Sequence, residues 1–409
     1  MKSFERNILT TAECKDSGMS VPSTNFPFRE GLIASLGFFF VALAIAQTPT
    51  ELSNSVVERG EDFAVYQRVS AVTDAVGSVA TQTNQFTLLE NCLNYFENGE
   101  WKESEDVIES APNGAVATRG PNKAIFSSEL AAPAVFDVLS SDGKRLRGGV
   151  RVIQLTDVAS GKSVTLATVK ASARGELLPP NRIVYRDAFD GLKADVLLVW
   201  KHNYFGQDVV IREQPQLPQG MSPDTTRLEI VTEIVEAPPP EIRKQTVPAD
   251  KAGQLEDDVV INFGRLAFVM GKAFQVTDEL AWAVGGLNSS DDSLPVLKQW
   301  QTLPDGRMYL IESIGWTDAQ PQLKGLPATT QANVTPASKD KTAVARVWPA
   351  RPKPLADSKP MQIAQLGYQP KGYVVDFVII PDSGTPPTLA SGVTYYIKTS
   401  YYSGSPVTF

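Results

Sequence analysis

Five carboxylates lie close together in the stretch "IVYRDAFDGLKADVLLVWKHNYFGQDVVIRE", residues 183 to 213: Asp187, Asp190, Asp195, Asp208 and Glu213. Glycoside hydrolysis needs only two carboxylates, about 5 to 9.5 Å apart. Their positions favour a structural role, because Asp190 forms a turn pair with Gly191, and Asp195 and Asp208 each stand directly before an apolar run. A carboxylate in such a place readily accepts hydrogen bonds from backbone N–H groups. We therefore predict no catalytic residue here.

The segment "DAFDGLKAD" could also offer oxygen ligands to a calcium ion. Hard oxygen ligands at a glycine-containing turn suit Ca²⁺, which makes Asp187, Asp190 and Asp195 the candidates for such a site. Their spacing departs from the EF-hand loop, which places its ligands at alternate positions before the glycine. The prediction is accordingly no metal and no cofactor.

His202 is the only histidine of the chain. A Ser-His-Asp or Cys-His arrangement requires an imidazole, and no Gly-x-Ser-x-Gly motif accompanies this one. Zinc sites use several Cys or His ligands, which this sequence does not supply. Since "WKHNYFGQD" reads as a polar turn between two apolar runs, we predict a histidine that faces solvent.

Six aromatic residues could form a platform on which sugar rings stack: Tyr95, Phe96, Trp101, Trp200, Tyr204 and Phe205. Sheet cores also recruit aromatic side chains, each of which buries about 150 to 250 Å². We favour core packing, above all for Trp200, which follows the continuous apolar run "DVLLV". Glycan binding remains an alternative.

The composition describes an acidic globular chain. Its 409 residues are 42% hydrophobic, which is enough for sizeable cores, and its formal net charge is −8. Binding to nucleic acid requires Lys and Arg clustered on one face. The nearest candidates, "KRLRGGVR" and "ARVWPARPKP", are short runs typical of solvated loops. We predict no nucleic-acid partner.

The uncharged apolar run "GLIASLGFFFVALAIA", residues 31 to 46, ends in a small-x-small cleavage site before Gln47. As a helix it would be about 24 Å long, shorter than the roughly 30 Å hydrocarbon core, so it predicts a signal peptide rather than an anchor. The preceding residues carry no net positive charge, which departs from the usual pattern. Cleavage would remove Cys14 and leave Cys92 as the only thiol, so no internal disulfide is expected.

From about residue 84 onward the hydrophobic period is two, and turn dipeptides separate the runs. Asn98-Gly99 is the strongest hairpin signal, because both central residues of a type I′ turn need positive φ. The pattern predicts an all-β fold: an antiparallel β-sandwich or large twisted sheets with many hairpins and little helix. The segment "EDFAVYQRVSAVTDAV" is left open between a short helix and a strand.

Composition also suggests boundaries along the chain. Residues 236–258 read as an exposed Pro-rich excursion, and "PVTF" ends the sequence on an apolar run without a polar cap. Because an open strand edge invites aggregation, we expect either that the chain is the front part of a longer polypeptide or that a partner or another part of the fold covers this strand. The predicted parts are a signal peptide at 1–46, a linker or extension at 47–82, a β-rich sandwich-like module at 83–316 with an optional split near 236–258, a Pro/Thr-rich linker at 317–360, and a C-terminal β segment at 361–409.

Several runs together resemble the N-terminal module of very large exported bacterial proteins that carry RHS-type or right-handed parallel β-helix repeats. The similarity rests on Tyr-x-x-Ala-Phe-x-Gly-x-x-Ala-Asp at residues 185–195 and Gln-Asp-x-x-x-Arg-Glu at residues 207–213, and covers roughly 80–235, with 258–316 more loosely. The chain also looks distantly like the domain ahead of bacterial β-propeller repeats, and "GVTYYIKTSYYSGSPVTF" is similar to the entry into a β-helix. The resemblance implies a scaffold at an exported location and supplies no active site.

The sequence therefore predicts a non-enzymatic, exported β-rich structural or capping module of a bacterial cell-surface or secreted protein. Its expected partners are a downstream repeat domain, a cell-surface component or a glycan. Two alternatives remain: a carbohydrate-binding domain, and a glycoside hydrolase that uses paired carboxylates.

Overall fold

The computed structural model of the chain describes residues 50–73, 77–248, 255–269, 271–276, 293–328, 346, 348–350, 352, 359–365, 368, 372–381 and 395–397. The predicted signal peptide and the terminal "PVTF" lie outside these residues. Within the described part, no helix is both long enough and apolar enough to cross a membrane.

The protein is all-β, as the sequence predicts: among the described residues, strands make up 62% and helix only 4%. The first strands are β1 (Thr50–Gly60), β2 (Phe63–Thr73), β3 (Val79–Leu89), β4 (Asn94–Glu97), β5 (Glu100–Glu103), β6 (Glu109–Ala111), β7 (Gly114–Ala117), β8 (Lys123–Ser127), β9 (Phe136–Leu139), β10 (Arg145–Asp157), β11 (Lys162–Val169), β12 (Gly175–Leu178) and β13 (Arg182–Tyr185). The remaining ones are β14 (Phe189–Asp190), β15 (Ala194–Lys201), β16 (Tyr204–Ile211), β17 (Thr226–Glu236), β18 (Glu241–Pro248), β19 (Leu255–Asn262), β20 (Leu266–Val269), β21 (Gly271–Val276), β22 (Leu294–Thr302), β23 (Met308–Gly315), β24 (Gln362–Ile363), β25 (Gly372–Pro381) and β26 (Tyr395–Ile397). Among the described residues, the α-helix α1 covers Trp316–Leu323, and a short 3-10 turn covers Pro223–Thr225.

The first three strands form a separate antiparallel sheet. Each is 11 residues long, β2 lies between β1 and β3, and β26 pairs in parallel with the end of β3. The segment that the sequence left open between helix and strand is therefore a strand, β2. Its Val and Thr content explains this outcome, since β-branched residues lose little freedom on a pleated surface.

Two large sheets contain most of the other strands. In the first sheet, neighbouring strands pair in the order β6, β7, β8, β9, β10, β17, β23 and β22, and each pairing is antiparallel. In the other, the order is β12, β13, β15, β16 and β25, after which β20 and β21 both pair with β25. The pairing of β21 with β22 joins the two large sheets into one barrel-like sheet.

The predicted hairpin at Asn98-Gly99 is confirmed. Asn98 (φ 56°) and Gly99 (φ 87°) join β4 to β5 in the conformation that a type I′ turn requires. Asparagine tolerates the left-handed region because its short side chain can hydrogen-bond locally.

The main core lies inside the barrel-like sheet and includes Phe126, Phe136, Trp200 and Phe205. A second apolar cluster covers the opposite face of the second large sheet, where Val184, Leu197, Val210, Phe274 and Val374 pack together. The central strands β15 and β16 are therefore buried on both faces, which explains their nearly continuous apolar sequence.

Strand pairing also crosses the boundaries that composition suggested. β25 comes from the predicted C-terminal segment 361–409, yet it pairs with β16 over seven residue positions. Residues 236–258 include β18 and the start of β19, which pair with each other in antiparallel fashion. The predicted linker 317–360 begins inside α1. Composition could not reveal these pairings, because they join residues far apart in sequence.

Candidate functional site

Asp195 forms the centre of a contact network in the acidic stretch. Its side chain is buried at the start of β15 and accepts a hydrogen bond from the backbone N–H of Asp187 at 2.7 Å. Arg212 lies 3.2 Å from the same carboxylate and also contacts Asp187, while the Tyr368 hydroxyl donates to Asp195 Oδ2 at 3.0 Å. The two motifs that carry the family resemblance, residues 185–195 and 207–213, therefore meet at this network.

Burial is the main cause that raises the pKa of Asp195, while the positive charge of Arg212 and the hydrogen bonds from Asp187 and Tyr368 act in the opposite direction. The network orders Asp187, whose φ of 45° is unusual for a residue other than glycine. Its contacts thus fit a role in shaping the turn between β13 and β15.

The three calcium candidates occupy different environments. Asp187 is largely exposed and contacts Arg212, Asp190 is exposed on the short strand β14, and Asp195 is buried. The guanidinium of Arg212 already supplies a positive charge between Asp187 and Asp195. The three carboxylates therefore stay candidates only, and the absence of a metal site remains a prediction.

Glu213 is also held by its surroundings. It is buried just after β16, and Lys193 contacts it twice: through Nζ at 3.0 Å from Oε1 and through its backbone N–H, which donates to Oε2 at 3.3 Å. These contacts tie the end of β16 to the turn before β15.

The prediction that His202 faces solvent is wrong. His202 is 9% exposed and lies between two carboxylates: Nδ1 is 2.7 Å from Asp106 Oδ1, and Nε2 is 3.2 Å from Glu90 Oε1. The backbone N–H of His202 also donates to Asp106 Oδ1 at 2.8 Å. The sequence could not show this, because Glu90 and Asp106 come from distant segments that fold over the turn between β15 and β16.

The two carboxylates keep the imidazole protonated. Burial by itself lowers the pKa of His202, but the hydrogen bonds and negative charges of Asp106 and Glu90 outweigh it and raise the pKa to about 9. Burial tends to raise the pKa of Asp106, and its bonds to His202 lower it overall. Because both ring nitrogens face carboxylates, His202 is a cationic clamp and a poor general base.

Of the six aromatic residues, two lie in the core, two are exposed, and two, Tyr95 and Tyr204, are partly buried. Trp200 and Phe205 are buried and contact Phe126 with ring centroids 6.1 and 5.9 Å apart. By contrast, Phe96 and Trp101 form an edge-on pair on the hairpin β4–β5 with centroids 5.4 Å apart. Phe96 is 61% and Trp101 38% exposed, so this pair is available to a ligand.

Cys92 belongs to a second polar group that the sequence did not reveal. Its thiol and the carboxylates of Glu61 and Asp62 each offer an atom within 4.8 Å of the others, the one such group of three among the described residues. Arg265 lies 2.7 Å from Glu61 and supplies a positive charge. Burial, followed by the charges of Asp62 and Glu61, raises the pKa of Cys92 to about 12, so the thiol is neutral and unreactive at physiological pH.

A third group consists of buried acids on neighbouring strands. Asp208 of β16 is fully buried and stands directly opposite Asp376 of β25. Glu312 of β23 is also buried, and the charges of Asp376 and Asp208 contribute to raising its pKa, after burial itself. The sequence contains a signal for Asp376 and Glu312, since each interrupts an apolar strand, but the pattern does not show that they meet.

A buried ion pair lies beside these acids. Lys298 Nζ is 2.6 Å from Asp258 Oδ2, and the backbone N–H of Lys298 donates to Asp258 Oδ1 at 2.7 Å. Both side chains are almost fully buried, and Gln245 donates a further hydrogen bond to Asp258. Such a pair satisfies its own charges and ties β22 to β19.

Comparison of the chain with protein-family models, with curated proteins and with solved structures found no match. The residues themselves must therefore indicate the function. Among the described residues, the acids and the histidine of 183–213 contact each other, backbone groups or neighbouring strands. The exposed feature with binding chemistry is the Phe96–Trp101 pair.

Proposed function

We propose that this protein is a non-enzymatic, exported β-rich structural module that holds or caps a further part of a bacterial cell-surface or secreted assembly. One observation carries the proposal: a carboxylate lies close to each ring nitrogen of His202, with Asp106 2.7 Å from Nδ1 and Glu90 3.2 Å from Nε2. A catalytic imidazole needs one nitrogen free to exchange a proton with substrate. The arrangement instead supports a clamp between three segments of the chain.

The acids of the stretch add to this argument. Asp195 and Glu213 are buried and contact Arg212 and Lys193, at the open end of the β15–β16 hairpin where β15 begins and β16 ends. A carboxylate that acts as acid or nucleophile in glycoside hydrolysis must reach the glycosidic bond. Buried, cation-bound carboxylates favour a framework that orders the strand ends.

The enzymatic part of the proposal is tested with the full chain and a panel of polysaccharides. We expect no turnover by the native protein, and none by Asp187→Asn, Asp195→Asn or Asp208→Asn variants. Turnover that one of these substitutions abolishes, in a variant whose circular dichroism is native, would refute the structural module and support the hydrolase.

Export is tested separately by cell fractionation. A C-terminal epitope on the full chain should be found outside the cytoplasm and should become accessible to external protease in intact cells. A variant with charged residues in place of Phe38, Phe39 and Phe40 should remain inside, because the apolar run would no longer serve as a signal. Cytoplasmic retention of the native chain would contradict the proposed location.

Carbohydrate binding is the second candidate, and the exposed Phe96–Trp101 pair favours it. The two rings meet edge to face on the hairpin β4–β5, and the register places the polar side chain of Glu103, two residues from Trp101, on the same face. An exposed ring presents an apolar face with polar groups at its edge, which is the chemistry that a sugar ring matches.

A glycan array distinguishes this candidate. We expect that binding, if the hairpin carries it, disappears in Trp101→Ala and persists in the control Leu139→Ala, which removes a comparably exposed apolar side chain elsewhere. A silent array with the native protein would remove the carbohydrate-binding candidate and leave the structural module unaffected.

A further inference from the structure

The seam between β16 and β25 contains two acids at opposed positions. Asp208 and Asp376 are direct partners in the antiparallel register, and they are 0% and 7% exposed. Side chains at such positions have Cβ atoms about 4.5 to 5.5 Å apart, and like charges there are destabilising. Two buried carboxylates at this distance cannot both be ionised without a strong compensating charge.

The hydrogen bonds around the pair do not supply that compensation. Neither carboxyl oxygen of Asp208 has a hydrogen-bond partner within the described part of the chain. Asp376 accepts a hydrogen bond from the backbone N–H of Lys272. Asp208 and Asp376 lie two residues from Val210 and Val374 on their strands, and therefore point to the same face as that second apolar cluster.

The neighbouring charges leave the pair with a net excess of acid. Arg182 acts on Asp208, and Lys272 and Lys298 act on Asp376. Glu312 and Tyr368 respond to the charge of the pair, and Asp258 and Asp195 contact Lys298 and Tyr368 next to it. Lys298 is already paired with Asp258, and Arg212 is engaged with Asp195. Glu312 adds a third buried acid, one of whose oxygens has no hydrogen-bond partner among the described residues.

We propose that Asp208 and Asp376 share a proton across the β16–β25 seam, and that loss of this proton as the pH rises loosens the pairing of β25 with the sheet. The seam is then a pH-sensitive element of the fold. The inference does not depend on the proposed structural function, because it concerns the stability of one strand pairing.

The pKa directions agree with this geometry. Burial, followed by the charge of Asp376, raises the pKa of Asp208 well above its usual range, against the opposing effect of Arg182. Burial likewise raises the pKa of Asp376 from 3.8 to about 7, although the N–H of Lys272 and the charges of Lys272 and Lys298 act against it. The folded protein therefore holds protons that the unfolded chain releases above about pH 4.

The sign of the effect follows from proton linkage. Where the folded state binds one more proton than the unfolded chain, the unfolding equilibrium constant rises about tenfold per pH unit. The stability that the protonated pair provides is complete at acidic pH and is lost as the pH rises through the folded-state pKa values. His202 acts in the same direction at higher pH, so a comparison of variants is needed to isolate the pair.

The first test measures unfolding by urea from about pH 5 to about pH 9 for the full chain and two variants. Asp208→Asn keeps the shape of the neutral acid and removes its titration, so we expect its unfolding constant to rise less steeply with pH than that of the native protein. Asp257→Asn is the matched control, because Asp257 is exposed on β19 beside the buried Asp258. It should follow the native profile. Parallel profiles for the native protein and Asp208→Asn would overturn the proposal.

The second test reads the pair directly and remains decisive if Asp208→Asn fails to fold. In native protein with ¹³C-labelled aspartate carboxyl groups, NMR should show an Asp resonance that titrates near or above neutral pH. Hydrogen exchange of the β25 amides, corrected for the intrinsic effect of pH, should accelerate over the same range. If every Asp carboxyl titrates below about pH 5, the shared proton does not exist.

Discussion

At the scale of single residues, this protein uses its ionisable side chains to connect its own segments. His202 joins the turn after β15 to Glu90 and Asp106. Asp195 joins two turns through Arg212, and Lys298 joins β22 to β19 through Asp258. Each group has the residue types of an active site, but burial and mutual contact favour a structural use.

Replacement of His202 by Gln should destabilise the fold by about 3 kcal/mol near pH 6, because the buried Glu90 would lose its positive partner. A group whose pKa rises from 6.5 to about 9 on folding contributes stability that is complete below pH 6.5 and is lost as the pH rises through about 9. The difference between native protein and variant should therefore shrink towards alkaline pH. Urea unfolding at several pH values measures it.

The neighbouring substitution Lys201→Gln provides the control for His202. It removes a positive charge at the end of β15 that acts on Asp106 but does not bridge the two carboxylates, so it should change stability much less than His202→Gln. Equal stability of His202→Gln and native protein at pH 6 would contradict the clamp.

The thiol of Cys92 should resist alkylation in the folded protein. It is 1% exposed and its pKa is raised to about 12, so the thiolate fraction is very small at neutral pH. In a Cys14→Ser background, we expect iodoacetamide to modify Cys92 at least about 100-fold more slowly in buffer than in urea. Mass spectrometry of the Cys92 peptide gives both rates, and similar rates would show that the thiol is accessible.

At the scale of elements, turns with positive φ set the register of the hairpins. Gly114 (φ +136°) begins β7, and a Cβ at this position would lie 2.0 Å from the carbonyl oxygen of Phe126 on β8. Gly143 (φ +79°) also adopts a positive φ but has no atom within 4 Å of its Cβ position. Alanine substitutions at these two glycines therefore distinguish the cost of a steric clash from the cost of backbone strain.

Gly114→Ala should therefore destabilise the protein by about 3 kcal/mol or more, since the β7–β8 pairing would have to open. Gly143→Ala, the matched control, should cost about 1 kcal/mol from backbone strain alone. Thermal or urea unfolding of the two variants compares them. Equal effects would mean that the close approach at Gly114 does not limit the hairpin.

At the scale of the whole molecule, β25 connects parts that are distant in sequence. It pairs with β16 on one side and with β20 and β21 on the other. Its residues Tyr373 and Val375 belong to the main core, and Val374 belongs to the second cluster. A strand with both edges paired and both faces buried is a central part of the sheet.

Truncation of the chain after residue 360 should consequently prevent cooperative folding. The loss of β25 would expose the edges of β16, β20 and β21 together with part of both apolar clusters, and exposed edges of this kind promote aggregation. A chain that ends after Pro381 keeps β25 and should retain a single unfolding transition. Size-exclusion chromatography and thermal unfolding compare the two. A soluble, cooperatively folded product of the shorter chain would show that β25 is dispensable.

The sequence predicts those features that depend on local chemistry. Alternating apolar residues determine strands because successive side chains point to opposite faces, and Asn98-Gly99 determines a hairpin because both residues accept positive φ. The burial of Trp200 was likewise predictable from the apolar run before it. Local periodicity also suffices for the all-β class.

Only the tertiary structure decides what depends on contacts between distant segments. It places Glu90 and Asp106 around His202, brings Asp376 opposite Asp208, and inserts β25 beside β16. A sequence pattern reports which face a side chain takes, but it does not report which strand lies next to it. Burial and neighbouring charges set the pKa values of these groups, and both depend on which strands pair in the folded protein.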